Sequence, residues 1–274
     1  MEFERHPGIA HLLKSYLQVR ARERSSSNKR MLTMVSCKNV SKQLGLHETE
    51  CEFYSKFVSM IPVRIPTCYE ILPKSKAIVM EDLRQYHRAP EFTLTNGLKV
   101  VQAIAKLHSY FRGMQLGKLT GHTEHMINYQ HFRERWSSTL TEGVIKKFDH
   151  AAEFYEDAAA QMLSKPCTLL HGDLKFSNLF WDYSGKDGEP IFIVWQYTGL
   201  GQGIEDVVFL LVESCASSNF KFLADALINA YYDEREKHDD VHVPHSERNV
   251  QVSCALAGFP LFVAVWFGSI NAWH

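Results

Sequence analysis

The spacing of apolar residues along the chain first predicts helices in its middle and later parts. Apolar positions between Leu98 and Phe111 recur every three to four residues, which is typical of an amphipathic helix, and Thr95 stands where a capping residue is expected. Residues 154–162 and 220–232 show the same helical spacing, whereas residues 234–245 are charged. We therefore expect three helices here, with a charged loop after the last of them.

Short apolar runs between the helical segments predict strands. Residues 77–83, 168–170 and 191–193 are such runs, each bounded by polar or turn-forming residues. The polar segment 183–190 contains two glycines and a proline, and it predicts a hairpin turn that leads into the strand 191–193. The sequence thus predicts a mixed helix and strand protein.

Composition and charge narrow the class of protein. The chain has 274 residues, 45% of them hydrophobic and 22% charged, with a formal net charge of -1. This is an ordinary globular composition, sufficient for one large domain or two lobes. A near-neutral chain with a pI of about 6.9 lacks the basic surface that nucleic-acid binding requires, so we do not expect a nucleic-acid partner. Nothing in the sequence predicts an oligomeric state.

The cysteines and the chain ends favour a cytoplasmic protein. The six cysteines are scattered without a C-x-x-C pair, so we expect reduced thiols and neither disulfides nor a zinc site. Residues 1–7 lack the features of a secretory signal. Residues 254–273 carry no charge and reach the length of a membrane span, but Pro260 interrupts them. We expect a buried helix there and no membrane association, with a tail anchor as the alternative.

The segment 169–180 carries the chemistry of the chain. Asp173 follows a short apolar strand, and Asn178 lies five residues further on. This spacing suits phosphoryl transfer, because the Asp accepts the proton of an attacking hydroxyl and the Asn binds a metal ion that neutralises phosphate charge. The strand 191–193 then leads into Val194, at a position where a second metal-binding carboxylate is expected.

These motifs together resemble a known superfamily. The run His-Gly-Asp-Leu-Lys-Phe-Ser-Asn at 171–178, the Trp-Gln pair at 195–196 and the segment 199–211 resemble the aminoglycoside phosphotransferase and choline-kinase-like superfamily. The likeness is greatest to its CHK-kinase-like branch, also called ecdysteroid-kinase-like. It implies an α+β, bilobal protein-kinase-like fold. A small β-rich amino-terminal lobe would span residues 1–83, and a larger helical carboxy-terminal lobe would span residues 84–274.

The resemblance also implies a nucleotide site. Lys38, with Lys42 as its rival, would contact the phosphates and pair with Glu50, although a solvated Lys at a strand end is the plain alternative. Adenine would hydrogen-bond the backbone of the hinge residues Met80, Glu81, Asp82 and Leu83. Only Gly8 precedes Gly45, so the phosphate-covering glycine loop is expected to be missing and the amino-terminal lobe truncated.

The function implied is ATP-dependent transfer of the γ-phosphate to a hydroxyl of a small metabolite. Asp173 would be the catalytic base and Asn178 a ligand of Mg²⁺, while Val194 offers no oxygen and is expected to weaken metal binding and turnover. The alternative is a catalytically impaired pseudokinase that acts as a binding module.

Other conspicuous residues are expected to be structural. His108 on an apolar helix face is interpreted as a core histidine, and Asp206 as a helix cap or a clamp on a loop. Trp136, Trp195 and Trp266 could cage a quaternary ammonium group, but core packing is the usual role of such residues.

Overall fold

The chain forms two compact units, and each is described here by itself. The computed structural model describes residues 45–72, 77–88, 91–116, 133–134, 137–138, 140–185, 187–216, 218–239 and 242–269. One unit comprises Met1–Leu44, Thr120–Lys165 and Pro244–His274, and the other comprises Gly45–Leu119 and Pro166–Val243. The lobes proposed from the sequence, 1–83 and 84–274, stay a prediction.

Six α-helices lie in the described residues. The unit that contains the catalytic segment holds α1 (Leu46–Lys56), α2 (Leu94–Phe111), α4 (Ile204–Ser214) and α5 (Phe220–Asp239). The other unit holds α3 (Glu142–Leu163) and α6 (His245–Ser269).

The described residues also contain seven short strands, which lie in the unit of the catalytic segment and pair antiparallel in three small sheets. They are β1 (Cys68–Ile71), β2 (Ile78–Met80), β3 (His87–Arg88), β4 (Thr168–Leu170), β5 (Leu179–Asp182), β6 (Glu189–Phe192) and β7 (Gly199–Gly201). Strand β1 pairs with β2, β5 lies between β3 and β6, and β4 pairs with β7. The predicted hairpin turn is confirmed, since Leu179 of β5 faces Phe192 of β6.

Helix α2 packs along α5 and forms the core of this unit. Val100, Ile104 and Leu107 on α2 are fully buried, and Leu227 on α5 is buried too. The predicted helix is confirmed, but the cap is Thr93, whose hydroxyl accepts the backbone N–H of Asn96 at 3.3 Å. Thr95 is inside the helix, because a cap must precede the first helical residue and the helix begins at Leu94.

Helix α5 is longer than its apolar pattern predicts. The charged loop expected after Tyr232 is instead two further helical turns ending at Asp239. Arg235 pairs with Asp239 four residues away, and Glu234 pairs with both Lys237 and His238. Charge pairs at this spacing stabilise a helix, so a segment that looks like a solvated loop remains helical.

The second unit is built on the contact of α3 with α6. Gly258 on α6 faces the ring of Tyr155 on α3, where a Cβ atom would lie 2.6 Å from the ring. The helix α6 continues through Pro260, so the predicted interruption there is wrong. Among the residues described, no helix combines the length and apolar character needed to cross a membrane.

Candidate active site

The loop that carries Asp173 leaves a buried strand pair. Strand β4 pairs with β7 so that Leu170 faces Gly199, and the loop begins at the next residue, His171. The hydroxyl of Thr198 donates to the carbonyl of Leu170 at 2.7 Å and fixes the end of the strand. Gly172 has a φ of 80°, a left-handed conformation that favours glycine, and it turns the chain toward Asp173.

Asp206, in the first turn of α4, clamps this loop. Its carboxylate accepts the backbone N–H of His171 at 2.7 Å and that of Gly172 at 2.9 Å. Burial opposes the charge of the carboxylate, but the hydrogen bond and the proximity of His108 hold its pKa below the usual value. Of the two roles predicted for Asp206, the loop clamp is therefore confirmed.

His108 supports the clamp from α2. Its Nε2–H donates to Asp206 at 3.1 Å, which leaves Nδ1 to accept the hydroxyl of Tyr231 at 3.0 Å. The imidazole is fully buried, and burial lowers its pKa, which favours the neutral form. Gly203 must be glycine, since a Cβ there would lie 2.2 Å from the Tyr231 hydroxyl. The prediction of a structural histidine is confirmed.

His171 links the loop to the strand that returns to it. Its Nε2–H donates to the carbonyl of Ile193 at 3.0 Å, and its Nδ1 accepts the backbone N–H of Asp173 at 3.3 Å. Burial lowers the pKa of this imidazole too. A neutral His171 thus holds the catalytic loop and the return strand together.

Asp173 and Asn178 lie side by side in the loop. The Asn178 amide donates to the carboxylate of Asp173 at 2.7 Å and to its backbone carbonyl at 2.9 Å. Lys175 donates to both carboxylate oxygens, at 2.9 and 3.0 Å. The Asp173 side chain is 7% exposed and that of Lys175 30% exposed, so the ammonium lies at the solvent side of a buried carboxylate.

Val194 is the one non-glycine residue with positive φ among the described residues, at 68°. A β-branched side chain is strained in this left-handed conformation, by about 1–3 kcal/mol, whereas Asp and Asn adopt it more readily. Both neighbours are fixed: the carbonyl of Ile193 by His171, and the N–H of Trp195 by Glu50. The backbone at 194 thus suits the carboxylate that the side chain lacks.

Glu50 reaches the return strand from α1. Its carboxylate accepts the backbone N–H of Trp195 at 3.0 Å, and burial raises its pKa. The indole of Trp195 stacks on Phe53 with ring centres 4.1 Å apart and is fully buried, so this tryptophan has a packing role. Lys38 and Lys42 lie outside the described residues, so the predicted pairing with Glu50 stays a prediction.

The predicted hinge follows strand β2. The Glu81 carboxylate accepts hydrogen bonds from the guanidinium of Arg64 at 2.8 Å and from the backbone N–H of Thr67 at 3.0 Å. The hydroxyl of Tyr86 donates a further hydrogen bond to it. Within the described part of the chain, neither the carbonyl of Glu81 nor the N–H of Leu83 makes a hydrogen bond. These backbone groups therefore remain available to a ligand.

Asp82 and Met80 contribute differently to this segment. The Asp82 side chain is turned to its own loop, where it accepts the backbone N–H and the guanidinium of Arg84. Met80 ends β2 and pairs in register with Cys68.

The described residues give a metal ion little to bind. They contain no group of three His, Cys, Asp or Glu side chains that could hold one. At the position predicted for Mg²⁺, Asn178 uses its amide N–H groups on Asp173 and keeps its Oδ1 without a hydrogen bond. Mg²⁺ is normally held through one or two carboxylates besides phosphate, and Val194 provides none. The side chains present thus do not fit a resident Mg²⁺.

Sequence reasoning missed two residues of the site. Lys175 lies within the motif 171–178, and its position two residues after Asp173 could have indicated that it belongs to the site. Arg64 joins the hinge to the return strand, since its carbonyl accepts the N–H of Phe192 at 2.9 Å while its guanidinium holds Glu81. No local sequence pattern predicts the role of Arg64, because its hydrogen-bond partners are distant in sequence.

A helix-supported loop with paired Asp and Asn, set among short antiparallel strands, agrees with the kinase-like fold that the sequence predicts. The sequence profile of the Phosphotransferase enzyme family (APH) matches residues 76–241, which is more than half of the 274-residue chain. The chain belongs to this family. A search of curated proteins by sequence found no match.

Solved structures share the fold at low sequence identity. The aminoglycoside phosphotransferase APH(3'')-Id from Streptomyces rimosus, in complex with ADP and streptomycin, is 14% identical with a TM-score of 0.56, over 81% of this chain and 84% of that chain. A choline/ethanolamine kinase family protein from Mesorhizobium loti is 15% identical with a TM-score of 0.55, over 82% and 68%. The ethanolamine kinase of Plasmodium vivax is 14% identical with a TM-score of 0.53, over 81% and 69%. The likeness to the CHK-kinase-like branch stays a prediction.

Proposed function

We propose that the chain is an ATP-dependent phosphotransferase that acts on a hydroxyl of a small molecule. The observation that carries the proposal is the arrangement of Asp173, a buried carboxylate fixed by Asn178 on a loop that Asp206 clamps. A base is effective when its position is fixed before the substrate arrives. The solved structures of similar fold include one with bound ADP and streptomycin, which supports a nucleotide and a small hydroxylated acceptor.

The chemistry assigned to Asp173 is acceptance of a proton. The acceptor oxygen forms a bond to the γ-phosphorus while the bond from that phosphorus to the ADP oxygen breaks, and ADP leaves with the electron pair. The proton of the acceptor hydroxyl passes to the carboxylate of Asp173. Within the described residues, the Oδ1 of Asp173 accepts a hydrogen bond from Lys175 alone. This oxygen therefore keeps a lone pair that can accept the proton of the acceptor hydroxyl.

The hinge supports binding of adenine. A carbonyl at Glu81 and an N–H at Leu83, both without hydrogen bonds among the described residues, offer the acceptor and donor pair that the edge of adenine requires. The neighbouring Glu81 side chain is fixed by Arg64 and Thr67, so the edge is preformed. The proposed phosphate contacts of Lys38 with Glu50 would complete the nucleotide site.

Mg²⁺ enters the proposal only as a weakly held ion. Asn178 Oδ1 is an oxygen of the described loop that makes no hydrogen bond there, and Mg²⁺ bound to it would neutralise phosphate charge. Because Val194 adds no ligand, we expect slow turnover.

The test compares the whole chain with its Asp173→Asn variant. Each is incubated with ATP and choline, ethanolamine or streptomycin, and phosphorylated product and ADP are measured by mass spectrometry. We expect slow product formation that falls by at least about a hundredfold in the variant, while the melting temperature is nearly unchanged. Asp187→Asn, an exposed residue, serves as the charge-matched control. Equal product formation by Asp173→Asn would overturn the assignment of the base.

A second candidate function is favoured by Val194. A chain that retains the loop and the hinge but lacks the metal-binding carboxylate suits a pseudokinase, which binds nucleotide as a binding module without transferring phosphate. This candidate predicts ATP binding without phosphorylated product from either the wild-type or the Asp173→Asn chain. Product formation by the wild-type chain therefore separates the two candidates.

A further inference from the structure

We infer that the ammonium of Lys175 is the cation that binds the transferring phosphate in this chain. A metal ion would otherwise have this role, but Val194 offers it no ligand. This inference rests on the proposed function, because it assumes that ATP binds at the hinge and extends to Asp173. It assigns a phosphate-binding role to a residue that the sequence analysis did not single out.

Lys175 lies beside the proposed base. Lys175 has extended backbone dihedral angles, with φ of -133° and ψ of 154°. Its side chain reaches Asp173, two positions earlier, past the fully buried Leu174. The ammonium contacts both oxygens of the Asp173 carboxylate, the group proposed to receive the proton.

The ammonium of Lys175 makes fewer hydrogen bonds than it has donors. A Lys side chain carries three N–H donors. Two are accounted for by the oxygens of Asp173, and Lys175 has no further partner in the described part of the chain. With its side chain 30% exposed, the ammonium retains a donor for an anion that arrives from solvent.

The charge of Lys175 is needed beside Asp173. A transferring phosphoryl group beside Asp173 places negative charge next to a carboxylate, which is repulsive unless a cation lies between them. Val194 recruits no metal ion, and His171 is buried and favours its neutral form. Lys175 is the cation that contacts Asp173 among the described residues, and it is already oriented by that contact. A fixed ammonium therefore replaces a bound metal at this point.

The experiment measures the affinity of the full chain for ATP and for ADP by calorimetry, with EDTA present so that no metal contributes. Since the contact of Lys175 is to the γ-phosphate, we expect ATP to bind at least about tenfold more tightly than ADP. In Lys175→Met this ratio is expected to fall to within about twofold, because ADP affinity stays the same and ATP affinity drops.

Two further variants make the result decisive. Lys106→Met removes an exposed Lys of α2 and is expected to leave both affinities unchanged. Lys175→Gln retains a hydrogen-bond donor to Asp173 without the charge. It is expected to lose the ATP preference as Lys175→Met does, and it carries the test if the Met variant does not fold.

The possible outcomes separate the inference from the proposed function. If the wild-type chain binds ADP but binds ATP no more tightly, or if the ratio survives in the Lys175 variants, the inference is wrong and the nucleotide site stands. If neither nucleotide binds the wild-type chain, the proposed function and the inference are both wrong.

Discussion

The carboxylate of Glu50 accepts the backbone N–H of Trp195 at 3.0 Å, across 145 positions of sequence. This contact fixes the residue directly after Val194, as His171 fixes the residue before it. The conformation at position 194 is therefore imposed from both sides.

Removal of the Glu50 acceptor is expected to destabilise the fold. In Glu50→Ala the buried N–H of Trp195 loses its partner, which costs about 1–3 kcal/mol. Glu50→Gln keeps an oxygen acceptor and is expected to cost less than about 1 kcal/mol. Unfolding by urea measures both, with Glu48→Ala, at an exposed position of α1, as control. Equal losses for the Ala and Gln variants would show that the hydrogen bond is not the source of the effect.

Replacement of Val194 tests whether the backbone suits an acidic side chain. Val194→Asn and Val194→Asp are each expected to raise stability by about 1 kcal/mol, because both residues tolerate the φ of 68°. Only Val194→Asp supplies a carboxylate for a cation, so it alone is expected to make ATP binding stronger with Mg²⁺ than with EDTA. Calorimetry with both variants checks this, and an Asp variant indifferent to Mg²⁺ would contradict our account of position 194.

The buried histidines predict how stability depends on pH. Burial lowers the folded-state pKa of His108 and His171 below the unfolded value of about 6.5. As the pH falls below that value, the unfolded chain takes up protons that the folded chain does not, so stability is lost. Melting temperatures between pH 8 and pH 5 measure the slope.

Substitution of one buried histidine is expected to reduce that slope. In His108→Gln the decrease in melting temperature from pH 7 to pH 5 should be smaller than in the wild-type chain, whatever the stability of the variant at pH 8. His150→Gln, an exposed position on α3, should retain the wild-type slope. A slope that is the same in all three chains would assign the pH dependence to other groups.

Arg64 is predicted to matter for the adenine end of the nucleotide. Arg64→Ala removes the guanidinium that holds Glu81, while its backbone carbonyl still accepts Phe192. We expect the affinities for AMP, ADP and ATP to fall by a similar factor, about threefold to tenfold. Arg84→Ala is the control, because this exposed Arg pairs with Asp82 of its own loop among the described residues. A loss confined to ATP would contradict this role for Arg64.

The parts of the fold that the sequence predicts are those with local causes. The spacing of apolar residues predicts α2, the turn residues predict the hairpin from β5 to β6, and the motif 171–178 predicts that Asp173 and Asn178 share one loop. The apolar pattern does not predict the extension of α5, because charge pairs stabilise those turns. It does not predict the cap at Thr93 either, because a hydrogen bond of the Thr93 hydroxyl sets the start of α2.

The remaining features depend on contacts between distant segments. The positive φ of Val194 results from His171 and Glu50 acting on its neighbours, and neither is near it in sequence. Similarly, the Tyr231 hydroxyl meets His108 from 123 positions away. Such contacts leave no pattern in a single segment.

We propose above all that this chain binds ATP without relying on a metal ion. The melting temperature of the chain tests this most directly. The whole chain is heated with ATP at about a hundred times its Kd, once with EDTA and once with Mg²⁺. Binding to the folded state alone would contribute about 2.7 kcal/mol and raise the melting temperature by roughly 5–10 °C. We predict a similar rise in both conditions. No rise in either, or a rise that appears only with Mg²⁺, would contradict the account.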